Sequence, residues 1–102
     1  MKRTRVEEAE ELWPGEMRQV AVSGQPLLFV NVEGELHAFL DRCAHQGVEL
    51  SKGRLEGRTL TCWAHGWQYD LCAGAGLNPA TAVLKRFPIS RVGREVWVEV
   101  DG

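Results

Sequence analysis

The stretch DRCAHQG, residues 41–47, decides the reading when it is set beside TCWAHGW, residues 61–67. The first contains Cys43-Ala44-His45, a C-x-H box, and the second contains Cys62-Trp63-Ala64-His65, a C-x-x-H box. Sixteen residues lie between His45 and Cys62. Thiolate and imidazole are soft to borderline donors, so four of them on two short boxes point to a transition-metal site. Zinc is the first metal to weigh. Structural zinc sites often begin with a C-x(2–4)-C knuckle, which this chain lacks. A C-x-H spacing also crowds two ligands on one tetrahedral ion, and two metal ions relieve that crowding.

Working outward, short runs with period-2 alternation lie between frequent glycines and prolines and predict strands. They are 16–22, 26–32, 35–40, 58–63, 66–71, 82–89 and 95–100. The run PLLFVNV is almost uniformly apolar and predicts a central strand. Glu33-Gly34 predicts a tight hairpin turn, and Gly93 a second turn. Val96, Val98 and Val100 are expected to face inward, with Glu95, Trp97 and Glu99 outward. Only VEEAEELW, residues 6–13, has a helical pattern, and Pro14-Gly15 ends it. The expected fold is all-β, antiparallel sheets in a small sandwich or barrel, with both boxes at strand-to-loop junctions.

The 102 residues predict one domain, 1–102. A 44% hydrophobic, 25% charged composition is that of an ordinary globule. A net charge of −2 argues against a nucleic-acid partner, which needs a basic surface. The longest apolar runs are four residues, such as 27–30, so no membrane span and no secretory signal are expected. The three cysteines then belong to a reducing, cytoplasmic setting.

If both cysteines bind one iron and both histidines the other, the boxes supply the ligand set of a Rieske [2Fe–2S] centre. The chain resembles the Rieske family in more than the boxes. LWPGEM (12–17), the inter-box LSKGRLEG (50–57), GAGLNP (74–79) and FPI (87–89) extend the resemblance over most of its length. It is most similar to the small ferredoxins of bacterial aromatic-hydrocarbon oxygenases, particularly those of toluene-type diiron monooxygenases. The resemblance implies a cluster-binding part at about 42–80, built of two hairpin loops and a covering loop that carries Pro79.

It implies further that Cys43 and Cys62 hold an inner iron, and His45 and His65 an outer iron near the surface. Gln46, Trp67, Tyr69 and Pro79 would surround the cluster. Membrane-anchored relatives carry an extra cysteine in each box, absent here. Catalytic oxygenase subunits need a further iron site of two histidines and a carboxylate, which His37 alone cannot build. The chain therefore reads as a one-electron carrier, not a catalyst. It would take electrons from an NADH-dependent flavoprotein reductase and pass them to a terminal hydroxylase, docking around His45 and His65. High-potential relatives place a serine where this chain has Trp67 and keep a tyrosine at Tyr69, so a potential at the low end is expected. Trp63 and Trp67 flank His65, with Trp67 the better candidate for an exposed docking aromatic. Cys72, which neither box needs, is expected to be a buried thiol. The competing readings are a dioxygenase ferredoxin, a small subunit of an assimilatory nitrite reductase, and a zinc-stabilised interaction module.

Overall fold

The computed structural model describes residues 2–43, 48–64, 66–78 and 83–100. Its regular structure, among those residues, is antiparallel strands in three sheets with two short 3-10 turns. The middle sheet has the order β2 (Met17–Val22), β3 (Gln25–Val32), β4 (Glu35–Leu40) and β9 (Arg86–Phe87). A three-stranded sheet has the order β1 (Lys2–Arg5), β11 (Glu95–Val100) and β10 (Ile89–Val92). The third runs β5 (Arg54–Glu56), β6 (Thr59–Thr61), β7 (Gln68–Asp70) and β8 (Ala75–Asn78).

The apolar run of β3 now has a cause. Successive side chains of a strand point to opposite faces. Leu27 and Phe29 enter one core with Val20, Val22, Val96, Val98 and Val100. Leu28, Val30 and Val32 enter a second core with Phe39, Leu60, Tyr69, Cys43 and Cys62. The middle sheet is covered on both faces, so β3 has no solvent side and needs no polar alternation. Each large side chain it buries contributes about 1.5–3 kcal/mol. Val96, Val98 and Val100 are fully buried, as the alternation predicts.

The hairpin between β3 and β4 turns on Glu33 and Gly34, both at positive φ (53° and 96°). That is the pairing a two-residue I′ turn requires. Asn31 braces this turn: its side chain accepts from Gly34 N–H at 2.8 Å and donates to the Leu12 carbonyl at 2.9 Å.

Four sequence expectations change. The predicted helix at 6–13 is a single 3-10 turn, Glu7–Ala9. Past Glu10 the chain bonds to β3 and not to its own next turn: the Leu12 carbonyl accepts from Asn31 Nδ2, and Gly15 N–H donates to the Asn31 carbonyl. Residues 2–5, given no element by the sequence, are β1, an edge strand paired with β11. The run at 82–89 is not one strand. Pro88, with no N–H, separates β9 in the middle sheet from β10 in the three-stranded sheet. Part of the predicted covering loop at 74–79 is strand: Ala75–Asn78 pairs with β7. Pro79 lies outside the described residues.

Candidate metal centre

Cys43 follows β4 and Cys62 follows β6, which puts both boxes at strand ends. The two cysteines share the core between the middle sheet and the β5–β8 sheet, at 2% and 1% exposure. Both boxes are closed in the same way. Cys43 N–H donates to the Val48 carbonyl and Cys62 N–H to the Trp67 carbonyl, each at 2.7 Å. In each case the cysteine bonds to the fifth residue onward. In the second box β6 and β7 fix this closure, since Thr61 and Gln68 are register partners just outside it. Gly66 N–H adds a bond to the Cys62 carbonyl at 3.0 Å. Among the described residues no cluster of three metal-binding side chains forms, and His45, His65 and Gln46 lie outside them.

The inter-box segment is held close to the second box at Gly53. A Cβ there would stand 2.4 Å from the Thr61 carbonyl oxygen, so only glycine lets the chain after the 3-10 turn Leu50–Lys52 lie against β6.

Tyr69, fully buried on β7, brings its hydroxyl to 3.3 Å from Cys43 Sγ. A phenol hydroxyl is a donor and thiolate sulfur an acceptor, so this contact suits a sulfur that carries charge. The two tryptophans divide the opposite way from the sequence expectation. Trp63 is 58% exposed, whereas Trp67 is half-buried against the second core.

The expectation of a buried Cys72 is corrected: its side chain is exposed and makes no disulfide. Asp70 explains this. Its Oδ1 accepts from Cys72 N–H at 3.0 Å and from Ala73 N–H at 3.4 Å, an Asx turn that carries position 72 outward.

Residues that the sequence reading passed over surround this region. Arg86 on β9 reaches the turn after β7, where Nη2 donates to the Leu71 and Cys72 carbonyls at 2.9 and 2.8 Å. Its guanidinium lies over the Phe39 ring at 5.0 Å, and Nη1 meets His37 Nδ1 at 2.9 Å. Arginine only donates, so His37 Nδ1 is the acceptor and the ring is neutral. Burial pushes the His37 imidazole below its ordinary value, and the Arg86 charge pushes it the same way, against a small opposing effect of Glu35. On the other side Asp41, fully buried, accepts from Gln19 and Ser51. No signal in one sequence marks Arg86. Asp41 had one: a lone acid between an apolar strand and a box cysteine.

Buried sulfur from two equally closed boxes, with a hydroxyl on one sulfur, fits a thiolate-held metal group. The comparisons with known proteins agree. The family model described as "Rieske [2Fe-2S] domain" matches residues 2–88. The ferredoxin component of the alkene monooxygenase system of Xanthobacter autotrophicus is 40% identical over 93 residues, covering 90% of this chain and 76% of that protein. The ferredoxin component of a Pseudomonas aeruginosa naphthalene 1,2-dioxygenase system is 34% identical over 92 residues, 89% of this chain and 88% of the other. Among solved structures, a complex of reduced oxygenase and oxidized ferredoxin in carbazole 1,9a-dioxygenase matches with a TM-score of 0.84 and 32% identity. That match covers 94% of this chain and 91% of the other. A Sphingomonas yanoikuyae B1 ferredoxin shares the fold, with a TM-score of 0.86 and 24% identity over 98% of this chain and 100% of that one. Among the described residues no helix is long and apolar enough to cross a membrane.

Proposed function

Because the chain belongs to the Rieske [2Fe-2S] domain family, we propose that it is the ferredoxin component of a multicomponent oxygenase, a one-electron carrier and not a catalyst. The observation that carries this reading is the pair of buried cysteines on identically closed boxes, in a chain similar over 90% and 89% of its length to two ferredoxin components of oxygenase systems. When bound, the cluster supplies a site that accepts and releases one electron.

Cys43 and Cys62 would hold the inner iron, and His45 and His65 the outer. The cysteines belong to the core, so an inner iron held by them would be shut away from water, and the histidines would hold the outer iron toward the surface. Tyr69 would donate to the Cys43 sulfur. Gln46, Trp67 and Pro79 would complete the surroundings, and Trp63 would stand beside His65 as an exposed aromatic at the docking rim. With Trp67 in the place of a serine donor, the potential would fall toward the low end of the roughly −150 to +300 mV Rieske range.

The partners proposed are an NADH-dependent flavoprotein reductase and a terminal oxygenase, docking around His45 and His65. One structural relative is a complex of an oxygenase with its ferredoxin, which supports the second partner. A toluene-type aromatic monooxygenase is our first reading of that partner. The naphthalene-type relatives favour a ring-hydroxylating dioxygenase as a second. We take residues 1–102 as one domain whose cluster-binding part is about 42–80. The exposed thiol of Cys72 suits a reducing, cytoplasmic compartment.

The test is spectroscopic and then functional. Purified protein should be red-brown, hold two irons per chain, and when reduced give the low-average-g EPR signal of Cys₂His₂ ligation. Cys43→Ala and Cys62→Ala should be colourless and Cys72→Ser should match the wild type. A colourless wild type with one zinc per chain would sink the reading. Turnover by oxygenase and reductase components of the same gene cluster should depend on this chain.

A further inference from the structure

Among the described residues Asp41 is the only acidic side chain buried from solvent. No lysine or arginine among them pairs with it. It sits two positions before Cys43, just past the end of β4. Gln19 Nε2 and Ser51 N–H only donate and Ser51 Oγ can donate, a set of partners suited to a carboxylate, which only accepts. Oδ2 receives Gln19 Nε2 and Ser51 Oγ, each at 2.7 Å, and Oδ1 receives Ser51 N–H at 2.8 Å. The same Gln19 amide donates to Glu49 Oε2 at 2.9 Å, so two carboxylates share one NH₂ group.

A buried carboxylate without a counter-ion is costly, and persists only where hydrogen bonds compensate it. These three bonds do more than compensate. Asp41 lies before the first box and Ser51 after it, so one side chain fastens both ends of the box. Gln19 fastens the same carboxylate to β2 of the middle sheet. The negative charge also sits in a low-dielectric region beside the first box, where Coulomb interactions are strong. There it opposes the arrival of an electron on a group held by Cys43.

Resting on the cluster assignment above, we propose that Asp41 is a positioning residue that fixes the first Cys/His box and, through its buried charge, lowers the reduction potential of the centre.

Paired substitutions separate the two effects. In D41N the new amide meets Gln19 Nε2 donor to donor, and Gln19 cannot present its oxygen instead without turning that oxygen on Glu49. D41N therefore loses charge and weakens the tether. Gln19→Leu and Ser51→Ala weaken the tether and keep the charge. In redox titrations, cluster-bearing D41N should have a higher potential than wild type with unchanged EPR g values. Q19L and S51A should titrate at or below the wild-type potential. Both should lose the cluster to a chelator several-fold faster than wild type. A D41N potential at or below that of wild type would overturn the charge role. Wild-type cluster retention in both Q19L and S51A would overturn the positioning role. If D41N holds no cluster, Asp41→Ser is titrated in its place. If neither holds one, the charge role is withdrawn, and faster loss from Q19L and S51A upholds the positioning role while wild-type retention overturns it. A wild type without the Cys₂His₂ signal would fail the ligand assignment itself, a result distinct from any of these.

Discussion

Tyr69 Oη and Cys43 Sγ stand 3.3 Å apart although 26 residues separate them in the chain, and both side chains are closed off from solvent. The contact requires the middle sheet, which delivers Cys43, and the β5–β8 sheet, which delivers Tyr69. On the proposed ligand set the hydroxyl stabilises the reduced, more negative centre more than the oxidised one. Tyr69→Phe should therefore lower the reduction potential. A hydrogen bond worth about 1 kcal/mol in this difference corresponds to roughly 40 mV for one electron. A redox titration reading the wild-type potential in Tyr69→Phe would show that the hydroxyl does not tune the centre.

Trp63 presents a large apolar surface beside the second box. Trp63→Ala should keep the visible and EPR spectra and the potential, and slow electron delivery to the oxygenase. Loss of a docking anchor worth about 1–2 kcal/mol predicts roughly a tenfold weaker complex. Stopped-flow oxidation of the reduced protein at varied oxygenase concentration reads this directly. The half-buried Trp67, substituted by Ala, should instead lower the thermal midpoint.

His37 makes stability depend on pH. Its folded-state value is depressed, so the unfolded chain binds more protons as pH falls through the ordinary histidine range near 6.5. The contribution is complete above that range and is lost as pH drops to the depressed folded value. His37→Gln keeps an oxygen acceptor for Arg86 without a titrating ring. Thermal midpoints measured from pH 7 down to 5 should fall less in His37→Gln than in the wild type. Equal slopes would remove His37 from the account.

Gly53→Ala should destabilise the protein by about 1–3 kcal/mol, the usual cost of forcing an added group into a packed site. The atom in the way is the Thr61 backbone oxygen, which cannot swing aside. Because Thr61 precedes Cys62, cluster retention should fall together with the melting temperature. An unshifted melt would mean that the backbone there yields freely.

Much of this was legible in the residues. Strict alternation located β11, and continuous apolarity located β3, because those patterns report directly on one or two covered faces. Spacing drew attention to the box cysteines, and the structure buries both in one core. What stayed illegible depends on partners distant in the chain. Lys2–Arg5 is charged and exposed, and becomes a strand only because β11 offers an edge. Pro88 marks the break between two strands, but the sheet each one joins is set by distant partners, β4 for β9 and β11 for β10. Cys72 reads as apolar until the Asx turn of Asp70 is noticed. Arg86 reads as surface charge, yet three of its neighbours, His37, Phe39 and Leu71, come from other elements.

β4 and β9 are adjacent strands of the middle sheet, and Leu40 N–H bonds the Lys85 carbonyl at 2.9 Å where they part. Everything from 41 to 84, both boxes included, leaves and returns through that one gap. For the rest of the molecule this segment is a long hairpin loop, and the entropy of closing such a loop rises by only about 0.6 kcal/mol for each doubling of its length. The segment is thus a cassette on the socket set by the register Ala38–Phe87 and Phe39–Arg86, and the second core fastens it there, where Leu50, Leu60, Tyr69 and Leu71 meet Leu28, Val30 and Phe39.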